Sequence, residues 1–139
     1  MICTFFGHKN TSDSVKPQLY EVLTDLILNH QADLFYVGNQ GRFDSIVRNT
    51  LKELKEKFPH IRFYVVLAYM PKDNLLDDFE TIYPEGLEKT PPKYAIDKRN
   101  RWLVEKADTV ITCVNLPFGG ASKFKELAEK KNKRVINII

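Results

Sequence analysis

Three short stretches carry residues suited to holding an anion: Gly7-His8, Gly38-Asn39-Gln40-Gly41-Arg42-Phe43-Asp44 and Pro117-Phe118-Gly119-Gly120-Ala121-Ser122-Lys123. Glycine has no Cβ, so the backbone N–H groups around it can come close to a phosphate. Where such a turn opens a helix, the unpaired N–H groups of the first turn and the helix dipole add partial positive charge. Cationic side chains stand near these turns in sequence: Arg42 inside the second, Lys123 at the end of the third, and Arg99 some twenty residues before it. The chemistry indicated is the holding of a phosphate or other small anion. Neither glycine stretch fits the dinucleotide fingerprint, and neither has the Gly-Lys-Ser/Thr ending of a P-loop. Each feature also has a plain structural reading. Gly38 to Gly41 can be a tight turn with Asp44 as the cap of the next helix. His8 can be a satisfied turn residue, Trp102 a packing residue, and Glu126 a surface ion-pair partner of Lys123 or Lys130.

The elements that would position these turns follow from periodicity. Residues 2–6, 33–37, 61–68, 109–114 and 134–139 are β-prone runs, two of them apolar enough to need cover on both faces. Between them, Leu19, Val22, Leu23, Leu26 and Ile27 repeat at helical spacing, with Pro17 suited to the first turn. Val47, Leu51, Leu54 and Phe58 mark a second helix, for which Asp44 is the expected N-cap and Pro59 the stop. Ile96, Leu103, Val104 and Ala107 mark a third, and Phe124, Leu127 and Ala128 a fourth. Residues 70–94, with four prolines, read as an irregular, lid-like loop. Alternating strands and helices predict an α/β, Rossmann-like three-layer sandwich: a mostly parallel five-stranded sheet in a single domain over 1–139, helices on both faces. In such a sheet ligands bind beyond the carboxyl ends of the strands where the strand order reverses. If the strands at 2–6 and 109–114 flank that point, Gly7 and Gly119-Gly120 face one crevice.

Composition bounds the alternatives. The chain has 139 residues, 43% hydrophobic and 28% charged, with a net charge of +3. That is the make-up of a globular protein, and it is too weakly basic to argue for a nucleic-acid partner by itself. No apolar run approaches the length needed to span a bilayer, and the N-terminus lacks the basic start of a signal peptide, so a cytoplasmic location is expected. Cys3 and Cys113 are too few for a disulfide framework or a zinc site and read as small core residues; no metal or cofactor is expected. The charge is uneven: residues 72–88 carry −5 and residues 89–139 carry +7. The basic third suits one small anion, or its lysines form a solvated helix face.

Taken together, Phe5-Phe6-Gly7-His8, the Gly38–Asp44 stretch, Pro91-Pro92-Lys93-Tyr94-Ala95-Ile96 with Arg99-Asn100-Arg101-Trp102, and Gly119-Gly120-Ala121 with Lys123-Phe124 resemble the YpsA-related branch of the SLOG superfamily, which groups DprA/Smf proteins with LOG (LONELY GUY) proteins. The resemblance runs over essentially the whole chain. It implies a Rossmann-like fold that binds a nucleotide-like ligand at the glycine loops. The LOG branch implies a phosphoribohydrolase that frees the base of a nucleoside 5′-monophosphate. Arg99 and Glu126 then fall at the catalytic arginine and glutamate positions. Ser122 and Lys123 stand where the LOG motif has Gly-Thr, and Phe118 separates Pro117 from the glycines. Breaking a base–ribose bond develops oxocarbenium character that a carboxylate such as Glu126 can stabilise. Arg99 or Arg101 can clamp a phosphate bidentately, and Lys123 can meet it as a point charge. The DprA branch implies a weaker alternative, an accessory of DNA processing. An open sheet with apolar helix faces, and the dimers of LOG relatives, lead to the expectation of a homodimer.

Overall fold

The computed structural model describes residues 1–138. Runs of branched and aromatic residues without alternation need helices on both sides, and the sheet provides the frame for them. Its strands are β1 (Ile2–Gly7), β2 (Leu34–Val37), β3 (Arg62–Val66), β4 (Thr81–Ile82), β5 (Thr109–Cys113) and β6 (Arg134–Asn137), in the order β4-β3-β2-β1-β5-β6. Every neighbouring pair is parallel. β5 is buried at each of its positions, as a strand covered on both faces must be.

Side chains alternate across a strand, so Phe5 and Phe6 at the centre enter opposite layers. Phe5 packs in one core with Leu19, Leu23 and Leu26 of α1 (Lys16–Asn29) and with Phe43, Val47 and Leu51 of α2 (Gly41–Lys57). Phe6 packs in the other with Leu103 and Val104 of α3 (Pro92–Lys106) and with Phe124 and Ala128 of α4 (Gly120–Lys130). Trp102 lies against Tyr36 with ring centroids 5.2 Å apart, a packing role. Cys3 and Cys113 are buried free thiols, and burial pushes Cys3 up to about 12.

Three expectations are corrected. The sheet has six strands, because residues 70–94 contain β4 and a 3-10 turn at Leu87–Lys89, and α3 already begins at Pro92. β4 pairs with β3 over two residues, and flanking hydrogen bonds run from Val65 N–H to the Glu80 carbonyl (2.9 Å) and from Leu67 N–H to the Ile82 carbonyl (2.8 Å). Two residues are too few for any periodicity to reveal. Asp44 is not an N-cap: α2 starts at Gly41, and Asp44 sits inside its first turn with its carboxylate folded back onto the Gln40 N–H. The last strand ends at Asn137, and position 139 of the expected 134–139 run lies outside the described residues.

The chain builds β1 to β4 outward in one direction, then returns to place β5 and β6 on the other side of β1. The reversal therefore falls between β1 and β5, and the loops after these two strands stand over it. No helix among the described residues is long and apolar enough to cross a membrane.

Candidate functional site

A crevice of about 530 Å³ opens at that reversal. Gly7, His8 and Lys9 from the end of β1 form one side, and Gly38, Gln40 and Asp44 from the β2–α2 turn form the next. Phe118, Gly119, Gly120 and Ala121 close it from the β5–α4 loop, and Ile96, Arg99, Asn100 and Leu103 rise from α3. The α3 residues repeat at helical spacing, so one stripe of the helix faces the crevice. A second hollow of about 400 Å³ lies away from the reversal, between α2 and the outer edge of β3. Its charges of opposite sign neutralise one another, as in the Lys52–Asp78 pair at 3.9 Å.

Arg99 and Asp44 form the polar floor of the crevice. Arg99 is only 2% exposed. Its Nη1 donates to the Val66 carbonyl at the end of β3 (2.8 Å) and to Asn39 Oδ1 (3.3 Å), and its Nε donates to Asn100 Oδ1 (2.8 Å). One guanidinium thus ties α3 to the ends of β2 and β3. Asp44 is 8% exposed and its Oδ2 accepts the Gln40 N–H at 2.9 Å. Burial raises the Asp44 carboxyl above its ordinary value, opposed by the Arg99 charge. Burial likewise lowers Arg99, opposed by Asp44 and by Tyr69 nearby. Gly38 is what admits both groups: a Cβ there would stand 2.7 Å from Asp44 Oδ2 and 3.1 Å from Arg99 Nη1.

The glycine turns have different jobs. A Cβ on Gly7 would fall 2.3 Å from the Phe43 ring, so this glycine lets α2 pack against the end of β1. The N-terminus of α2 is closed by its own chain: the Lys9 carbonyl accepts the Arg42 N–H (2.9 Å), and Asp44 accepts that of Gln40. Only the third turn is open. α4 has no side-chain cap, Gly119 takes φ +97°, and nothing stands within 4 Å of a Cβ on Gly119 or Gly120. The N–H groups of this helix start have no side-chain cap, and Gly119 and Gly120 border the crevice.

The expected cations are largely drawn off elsewhere. Arg42 pairs with Asp13, reaching Oδ2 at 2.6 Å on the outside of α2. Arg101 and Lys123 both bind Asp97, at 2.8 and 2.6 Å, which staples α3 to α4. Lys123 therefore pairs with Asp97 and not with Glu126. Glu126 is exposed on α4 and is not among the residues lining the crevice. Ser122 is buried at the start of α4, and Gly41 is exposed where Lys9 crosses it. Asn39 braces Arg99 and accepts from the Gln40 side chain at 3.3 Å, and His8 Nε2 accepts the Asn115 N–H at 3.3 Å. The crevice adds Lys9, Ile96, Asn100 and Leu103 to the residues singled out from sequence. Their spacing around Arg99 was the available signal. Among the described residues no cluster of three His, Cys, Asp or Glu could hold a metal ion.

No family model and no curated protein matches the chain. A solved structure does: the X-ray structure of DNA processing protein A (DprA) from Streptococcus pneumoniae superposes with a TM-score of 0.71. The fold is that of DprA. The match has 17% sequence identity and covers 96% of this chain and 48% of DprA, so the chain spans about half the length of that protein. The Rossmann-like architecture implied by the SLOG resemblance is thus the architecture found.

Proposed function

We propose that the chain is a cytoplasmic SLOG-type module of the YpsA-related branch, whose crevice binds a nucleotide or nucleotide-derived ligand for sensing or processing. The observation that carries this reading is the uncapped start of α4, with Gly119 and Gly120 open to the same crevice that Arg99 and Asp44 floor. Unpaired N–H groups at a helix start suit a phosphate. The apolar wall of Ile96, Leu103 and Phe118 suits the flat face of a base. Lys9 supplies an exposed cation at the rim. The likeness to DprA supports the fold that such a site needs. Calorimetric titration with nucleoside mono- and diphosphates, cyclic dinucleotides and ADP-ribose analogues tests the reading. Saturable binding by one class supports it; indifference of the folded protein to all of them overturns it.

A second reading is hydrolysis of a nucleoside 5′-monophosphate with release of the base, favoured by the place of Arg99 in the crevice. It expects free base from a purine nucleotide, lost in Arg99→Ala and in Glu126→Ala. Binding stands first because the crevice lining holds one carboxylate, Asp44, and glycosidic cleavage ordinarily uses two.

A further inference from the structure

Two groups at the floor of the crevice are left half satisfied. Asp44 Oδ2 is engaged by the Gln40 N–H, while Oδ1 has no hydrogen-bond partner among the described residues. Arg99 uses Nε and Nη1, while Nη2 has none among the described residues. Yet no side-chain nitrogen or oxygen among the described residues is both sealed from solvent and unpartnered. Each of these atoms therefore keeps some contact with solvent, and both side chains line the crevice. The two groups approach Gly38 through Oδ2 and Nη1, which the missing Cβ would meet at 2.7 and 3.1 Å, and they do not close into an ion pair among the described residues. A carboxylate and a guanidinium so buried keep their spare valences for something that enters.

The chemistry of that something is restricted. A phosphate would satisfy Arg99 and be repelled by Asp44. An ammonium group would do the reverse. A hydroxyl donates and accepts at once, so it can serve a spare acceptor and a spare donor on neighbouring side chains. On a nucleotide the hydroxyls belong to the sugar. Resting on the nucleotide-binding reading above, we propose that Asp44 and Arg99 jointly read a ribose hydroxyl, so that the site takes ribonucleotides and discriminates against their deoxy forms. Asp44 is the specificity-determining acceptor, and Arg99 completes the hydroxyl's second hydrogen bond. The start of α4 holds the phosphate, so sugar recognition and phosphate recognition fall to different elements.

The test is a calorimetric comparison of AMP and GMP with their 2′-deoxy and 3′-deoxy forms, on the wild-type chain and on Asp44→Asn. The amide of Asp44→Asn keeps the shape and can still accept the Gln40 N–H. In the wild type, at least one deoxy form binds about tenfold or more weaker than the ribonucleotide, because a buried site left unpaired rejects the ligand lacking its partner. In Asp44→Asn that ratio falls toward unity. Equal binding of ribo and deoxy forms by the wild type overturns this inference and leaves the nucleotide site standing. So does discrimination that follows the base, GMP over AMP, with no dependence on the sugar, since a guanine edge also offers a donor beside an acceptor. Undiminished sugar discrimination in Asp44→Asn overturns it as well. Failure of every nucleotide to bind overturns the binding reading itself. The wild-type comparison decides the matter even if Asp44→Asn does not fold.

Discussion

Gly7 and Gly120 both border the crevice, but they are glycines for opposite reasons, and the difference is measurable. Gly7→Ala drives a methyl into the Phe43 ring, whose nearest atoms would be 2.3 to 2.7 Å away. Overpacking of this kind costs about 1–3 kcal/mol, so its melting temperature is expected to fall. Gly120→Ala has open space around its new Cβ and replaces glycine within a helix, so stability is expected to hold or rise slightly. The methyl enters the crevice, and nucleotide affinity is expected to drop. Melting curves and titrations on the two variants check both halves. The carboxylates Asp44 and Asp97 also differ in sign. Burial raises Asp44, so its ionisation disfavours the folded state, and that stability is lost as pH rises from the ordinary carboxylate value of about 4 through the raised one. The Lys123 ammonium, then Arg101, lowers Asp97, so its contribution is present above about pH 4 and is lost as pH falls through the lowered value. Across that acid-to-neutral range, Asp44→Asn is expected to gain on the wild type as pH rises and Asp97→Asn to fall behind it. Denaturant unfolding at several pH values reads this directly, and parallel profiles would contradict it.

At the level of elements, the Asp97 staple decides where positive charge goes. It holds α4 to α3 and keeps Lys123 and Arg101 from the crevice mouth. Asp97→Ala frees both cations; because these groups are exposed, the stability loss is expected to be small. Anionic ligands are expected to bind tighter at low salt, with the gain fading as salt is raised, and titration at two ionic strengths checks it. The long elements were legible in the sequence: Leu19, Leu23 and Leu26 repeat at helical spacing in α1, and β5 is a short β-branched run of the kind covered on both faces. The reversal between β1 and β5 was one of the arrangements the right-handed crossover rule left open, and it is the one the sheet takes. What escaped reading has physical causes. β4 is a two-residue pairing with β3 and carries no pattern of its own. The start of α2 moved to Gly41 because Asp44 can satisfy the Gln40 N–H from inside the first turn as well as cap from outside it. Arg42, Arg101 and Lys123 are near the glycines in sequence, but side-chain direction sent each to an aspartate, and proximity along the chain cannot show direction. Arg99, by contrast, reaches the crevice because it shares the inward stripe of α3 with Ile96 and Leu103.

For the whole molecule, most of the exposed large apolar side chains gather at one end, Leu28 on α1 standing apart. Tyr69 and Met70 follow β3, Tyr94 opens α3, and Leu116 and Phe118 follow β5, all at the end of the sheet where the crevice opens. Leu75 is exposed in the segment between β3 and β4, which is anchored by buried Leu76 and by Phe79 against the core. Exposed apolar side chains gathered at one end suit a place where something docks, and the expected homodimer offers a second copy as the occupant. A dimer closed over this end would also shield the crevice, in keeping with an anion site that works better out of water. The reading has a definite consequence. Light scattering at tens of micromolar, an order-of-magnitude concentration chosen to populate weak dimers, is expected to give twice the chain mass of 16.2 kDa. The double variant Met70→Glu, Leu75→Glu touches no residue that lines the crevice, so it is expected to run at the monomer mass with an unchanged melting curve at low concentration. A monomeric wild type refutes the dimer outright. A dimeric double variant moves the interface away from this end and separates association from the crevice.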